Sequence, residues 1–233
     1  MDYFQAAAAA PPGWHRYNLD DVAQLPQEYL TTIPTGERER AARGDPAAGE
    51  RLRRALFWPL VYELEPELWD AFSQVEPIHP GVLSKLEIDG RRVLEVAAGS
   101  GRLTVHLCPR AAELVCVEPS PGLRRILAGR CPTADLRAGF FHALPIVDGW
   151  AELTVCCASM EPDSEAVLEL ERATARGGAL ALISPENPDW FQAHAWERLS
   201  FDPSEVVIRP HDPELEAIFG PVDPPHELLW RQR

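Results

Sequence analysis

The chemistry-bearing residues of this chain gather around one glycine turn. Arg92-Val-Leu-Glu-Val-Ala-Ala-Gly-Ser-Gly101 is an apolar run that carries a single acid, Glu95, and ends in two glycines, Gly99 and Gly101. An apolar run feeding a glycine turn and then an amphipathic stretch predicts strand, tight loop and helix, with loop amides and close-approach space open to a ligand. The next apolar run ends Val115-Cys-Val-Glu118. A carboxylate at that point can accept hydrogen bonds from both hydroxyls of a ribose, so the pair of features points to an adenosine-bearing ligand.

Two ligand classes use such a turn, dinucleotides and S-adenosylmethionine, and charge separates them. Glu95 would repel a pyrophosphate but attract the ammonium of an amino acid. In the dinucleotide pattern G-x-G-x-x-G the third glycine would fall at Thr104, where a side chain obstructs close helix–strand packing. An NAD(P)-dependent oxidoreductase is therefore the weaker alternative.

Val93-Leu-Glu-Val-Ala-Ala-Gly-Ser-Gly-Arg-Leu-Thr104 resembles the first motif of class I S-adenosylmethionine-dependent methyltransferases. Val117-Glu-Pro-Ser120 resembles their second, and Gly139-Phe-Phe-His-Ala-Leu-Pro145 with Asp148-Gly149 their third. Leu170-Glu-Arg-Ala-Thr-Ala-Arg-Gly-Gly178 resembles the approach to the fifth strand. The similarity covers about residues 90–185 and is nearest to the small-molecule group that includes quinone C-methyltransferases. It implies S-adenosyl-L-methionine as cofactor, with Glu95 near its amine, Ala97, Gly99 and Gly101 at its amino-acid end, and Glu118, Pro119 and Ser120 around the ribose. Ala97 replaces a family glycine, which is tolerated if φ stays negative there. Phe140 replaces the acid that usually meets the adenine amine, so Phe140 or Phe141 is expected either to press on the adenine face or to pack in the core, and Ser159 is a further cofactor-binding candidate.

Methyl transfer from a sulfonium asks the protein to align an acceptor and exclude water, and needs a general base only for acceptors that bind protonated. Bases in an open α/β sheet belong beyond the C-terminal strand ends. Glu161, after the fourth strand, His142, beside the presumed adenine loop, and His79, between Pro77 and Pro80, are the candidates. Ser159, Met160, Glu186, Asn187 and Trp190 share those ends. A non-catalytic module that binds the cofactor or its demethylated product fits the same motifs.

The elements that must position these groups follow from patterning. From Gly90 onward short apolar runs alternate with amphipathic stretches, predicting a Rossmann-like, doubly wound α/β fold. Strands are expected near 92–97, 113–118, 134–138, 151–157 and 178–183, with helices near 102–109, 121–129 and 163–174. A helix near 189–199, a β-rich run Glu205-Val-Val-Ile208, a short helix near 213–219 and a reversed last strand at 226–232 complete a mostly parallel, seven-stranded sheet over 81–233. Residues 1–80 are read as an arm and helical cap. The first 36 are an extended arm, a helix over 37–58 ends or kinks at Pro59, and another follows with Pro66 in its first turn. Trp14, Tyr17, Trp58, Tyr62 and Trp69 are available to line an acceptor site.

Composition sets outer bounds. The 233 residues carry a net charge of −14, and the segments 1–80, 81–185 and 186–233 sum to −6, −2 and −6. A field of that sign repels polyanions, which disfavours nucleic acid as partner. Five cysteines, without C-x-x-C pairing or histidines at ligand spacing, indicate neither a disulfide framework nor a metal site. With no basic leader and no long apolar span, a cytoplasmic protein without membrane span is expected, monomer or homodimer, acting on a small-molecule methyl acceptor.

Overall fold

The apolar runs after Gly90 become the strands of one sheet. In a computed structural model that describes residues 3–233, these strands are β1 (Arg92–Val96), β2 (Glu113–Val117), β3 (Asp135–Arg137), β4 (Ala151–Cys157), β5 (Thr174–Ile183), β6 (Glu197–Ser200) and β7 (Glu227–Gln232). Their order is β3-β2-β1-β4-β5-β7-β6. β1 to β5 run parallel, and β7 lies antiparallel between β5 and β6. The chain winds outward from β1 to β3, then returns to β4 on the other side of β1. Loops leaving β1 and β4 therefore diverge and open a crevice at the C-terminal strand edge, where ligands of such sheets bind.

Both faces of the sheet are covered, which is why its strands read as continuous apolar runs rather than alternating ones. Val93, Cys116, Leu153, Ala181 and Ile183 face a core that includes Val82, Leu107 and Leu127. Leu94, Val96, Val117, Leu180 and Leu182 face a second core containing Leu170, Phe191 and Leu229. Cys116, Cys131 and Cys156 are buried in these layers as free thiols.

Contacts divide the chain into two compact units, one of residues 73–209 with 223–233 and one of residues 1–72 with 210–222. Thus the helical unit ends at Phe72 rather than near 80, and it takes in a segment that the sequence reading gave to the sheet. Its α-helices are α1 (Tyr3–Ala8), α2 (Leu19–Val22), α3 (Gln27–Leu30), α4 (Thr35–Ala42), α5 (Pro46–Ala55), α6 (Phe57–Leu64) and α7 (Pro66–Ser73), which ends one residue past the division, and, from the later segment, the expected helix at Pro213–Phe219. Among them the expected extended arm is corrected: Asn18 caps α2 with a capping box and Asp45 caps α5. Pro59 sits in the first turn of α6, where its missing N–H costs nothing, so it opens a helix instead of ending one.

Several aromatic residues of this unit pack on one another. Trp58, Trp69 and Phe72 surround Phe219, whose ring centroid lies 4.9–5.8 Å from theirs, and Tyr62 stacks on Trp58. The Tyr17 hydroxyl donates to Glu65 at 2.5 Å, and Arg54 lies over the Trp14 ring.

Within the sheet unit the helices are α8 (Pro80–Lys85), α9 (Thr104–Leu107), α10 (Pro121–Arg130), α11 (Ser164–Ala173) and α12 (Pro188–Ala193). Two expectations fail near the end of the chain. The helix expected over 189–199 stops at Ala193 and yields to β6, and the run 205–208 forms no strand, with Val207 and Ile208 exposed.

Candidate functional site

Three neighbouring parallel strands end the same way. Ala97 after β1, Ala158 after β4 and Ser184 after β5 have φ of 55°, 55° and 43°. The left-handed region costs a non-glycine residue about 1–2 kcal/mol, and such strain concentrates where a chain is bent for a purpose. The condition of negative φ at Ala97 is therefore not met, and the alanine occupies a conformation that glycine adopts more freely. Gly99 and Gly101 also have positive φ. A Cβ on Gly101 would stand 2.6 Å from Leu127 Cδ1, so this position is closed to side chains by both backbone and packing.

Below the loop lies Glu95, 2% exposed. Its Oε2 accepts from the Thr104 hydroxyl at 2.6 Å and from the Cys116 thiol at 3.5 Å. Burial is the chief reason its carboxyl pKa is pushed up to about 7. Thr104, noted in the sequence only as a missing glycine, is thus the partner that holds the acid in place.

Glu118 closes the loop from the side. One carboxylate oxygen accepts the Gly99 amide and the other the Ser120 amide, each at 2.9 Å. Ser120 in turn caps α10, accepting the Leu123 amide. Arg124 donates to the carbonyls of Glu118 and Pro119, and Arg130 to that of Ser100 at 2.7 Å. These two arginines, one turn and a half apart on α10, fix the backbone of both loops; nothing in the one-dimensional pattern marked them. Arg102 pairs with the buried Glu76 at 2.8 Å.

The remaining expected residues divide by environment. Phe141 packs against the second core, whereas Phe140 is half-buried in a tight turn bridged to Ala143. Gly139 permits that turn, since a Cβ there would meet Pro145 and Val117 within 3 Å. Ser159 is exposed and donates to the Cys157 carbonyl. Glu161 is exposed as well. His142 Nε2 lies 2.6 Å from Asp163, the N-cap of α11, so the loops after β3 and β4 are joined there. His79 is buried elsewhere: its Nδ1 accepts the Gly81 amide to cap α8, and its ring stacks on Phe201. The His-Pro pair before an apolar stretch was a legible sign of that cap.

Residues 94–182 match the family described as "Methyltransferase domain", a span from β1 to β5 that holds the glycine loop, Glu118 and the loops after β3 and β4. The sheet has the S-adenosylmethionine-dependent methyltransferase fold. A methyltransferase of this type from Thermotoga maritima superposes with a TM-score of 0.51 at 18% identity, covering 74% of this chain and 98% of that one. A Methanococcus maripaludis structure described in the same terms gives 0.51 at 16% identity, covering 72% and 90%. An uncharacterized methyltransferase of Mycobacterium bovis is 29% identical over 156 residues, 65% of this chain and 61% of its own length. One from Exiguobacterium sibiricum is 36% identical over 93 residues, 37% and 42% of the two chains. The chain therefore spans about three fifths or less of these curated methyltransferase relatives.

The site suits the cofactor of that fold. The Glu118 carboxylate stands at the end of β2, bonded to the glycine loop on one oxygen and to the start of α10 on the other. The side-chain-free face at Gly101 admits close backbone approach. Among the described residues no helix is long and apolar enough to cross a membrane.

Proposed function

We propose that this protein moves a methyl group from S-adenosylmethionine to a small-molecule acceptor. The observation that carries the reading is the Glu118 carboxylate tied to the Gly99 amide, which holds an acid directly beside the glycine loop. In this reading Glu118 and Ser120 hold the ribose, Pro119 and Phe140 flank the adenine, Gly99 and Gly101 make room for the amino-acid end, and Glu95 faces its ammonium. The bound cofactor supplies an activated methyl on sulfur, and the protein supplies alignment and a dry crevice for in-line displacement. His142, oriented by Asp163, is the group best placed to take a proton from an acceptor that needs to lose one.

A small acceptor is favoured because the arginines that reach the site are spent on protein carbonyls and carboxylates rather than laid out for phosphates. A quinone-like acceptor accords with the order and wording of the motifs. A nicotinamide cofactor is disfavoured by Thr104, whose hydroxyl is bonded to Glu95 where the dinucleotide pattern has glycine.

Calorimetric titration with S-adenosylmethionine, S-adenosylhomocysteine and NADH, followed by an acceptor screen that detects S-adenosylhomocysteine, tests the reading. Micromolar binding of the first two with none for NADH is expected. Binding of NADH alone would overturn it, and cofactor binding without turnover on any acceptor would leave a binding module.

A further inference from the structure

Among the described residues four glutamates are buried: Glu37, Glu76, Glu95 and Glu118. Three are provided for as anions. Glu37 meets Arg40 and Arg51, Glu76 meets Arg102 and the Asp223 amide, and Glu118 accepts two backbone amides. Among the described residues the hydrogen-bond partners of Glu95 are a hydroxyl and a thiol, both on Oε2.

Beyond the Thr104 and Cys116 donors, the groups around Glu95 do little to stabilise an anion. Cys116 of β2 touches it, the thiols of Cys131, Cys156 and Cys157 feel its charge, and the Glu118 carboxylate adds a like charge. On α9, Thr104 is neutral, and burial holds the His106 pKa down. Arg102 and Arg130, which belong to or reach the same loop, are engaged by Glu76 and by the Ser100 carbonyl. An enclosed carboxyl without a cation keeps its proton more tightly than one in water.

We propose that Glu95 holds a proton while the loop is empty and surrenders it when an ammonium-bearing ligand enters, so that cofactor uptake is an exchange of a proton for an ammonium. The inference rests on the methyltransferase reading above. The O–H bond of the carboxyl breaks, the proton passes to solvent, and the ligand ammonium keeps its own protons and becomes the counter-ion that the fold omits. No covalent bond to the ligand forms. A pKa pushed up to about 7 puts the exchange within the neutral range.

The test counts protons. S-adenosylhomocysteine and 5′-methylthioadenosine, which lacks the amino-acid end, are titrated into the whole protein at pH 6.5 in buffers of different ionisation enthalpy. Release of roughly half to one proton per site is expected with the first and none with the second, and the affinity for the first should fall on the order of tenfold from pH 7 to pH 5.5. Glu95→Gln should bind S-adenosylhomocysteine without release and without that pH dependence. Tight binding by the wild type with no proton released, or equal release from the variant or with 5′-methylthioadenosine, would overturn the proposal. Absence of any S-adenosylhomocysteine binding would overturn the methyltransferase reading and this inference with it. Because the wild-type comparison of two ligands stands alone, a poorly folding variant leaves the test intact.

Discussion

The Glu118 carboxylate accepts the Gly99 amide at 2.9 Å and so locks the end of β2 to the loop that leaves β1. One side chain thereby joins the two loops that leave β1 and β2. Glu118→Ala takes the carboxylate away from the Gly99 and Ser120 amides and removes the proposed ribose acceptor. Affinity for S-adenosylhomocysteine should drop by about 1–3 kcal/mol, read by calorimetry. An unchanged dissociation constant would remove Glu118 from the binding site.

At Ala97 the expected change is a gain. Its φ of 55° is one that glycine adopts freely and alanine does not. Ala97→Gly should relieve about 1–2 kcal/mol of strain against a chain-entropy cost of about 0.4–1 kcal/mol, a net stabilisation of up to about 1.5 kcal/mol in urea unfolding. A clear loss of stability would mean that the Ala97 methyl has a packing role.

Gly101→Ala is the opposite case. With φ of 101° and Leu127 Cδ1 at 2.6 Å from the new Cβ, both conformation and space are wrong. We expect a loss of about 1–3 kcal/mol. The double variant with Leu127→Ala should not recover the single-variant loss, because the shorter side chain repairs only the clash; recovery would show that the backbone strain is minor.

The buried acid also sets a pH signature in the ligand-free protein. The Glu95 pKa, about 7 in the fold, is raised from an ordinary glutamate value of about 4.5. Between those values the folded chain holds a proton that the unfolded chain has lost, so this group makes stability fall as pH rises through that window, and contributes no slope above or below it. From pH 5 to pH 8 the stability of the wild type relative to Glu95→Gln should fall by about 2–3 kcal/mol, measured by denaturant titration. A difference independent of pH would show that Glu95 is ionised throughout.

What the sequence disclosed and what it hid follow one physical rule. β1, β2 and β4 are buried on both faces, so hydrophobicity alone outlines them. β6, Glu197-Arg-Leu-Ser200, is a largely exposed edge strand whose pairing with β7 comes from backbone bonds, and it leaves no apolar trace. Val206-Val-Ile208 carries that trace without the partner. In the helical unit, α2 and α3 are four residues long, too short for a 3.6-residue period to register. At the site, the glycines and Glu118 are legible because local geometry demands them. The bonds from Thr104 to Glu95 and from Arg130 to Ser100 depend on how α9 and α10 settle on the sheet, which no spacing encodes.

Phe219 gives the helical unit an unusual dependence on synthesis order. Trp58, Trp69 and Phe72 are made long before the ring at their centre, and the whole of the sheet from β1 to β6 is translated in the interval. Through that time a nascent chain carries two tryptophans and a phenylalanine without the ring that sits among them, surface of the kind that chaperones hold and that self-associates in their absence. The yield of native protein should accordingly respond to translation speed and chaperone supply between residues 72 and 219, and a chain cut anywhere in that stretch leaves its aromatic cluster open.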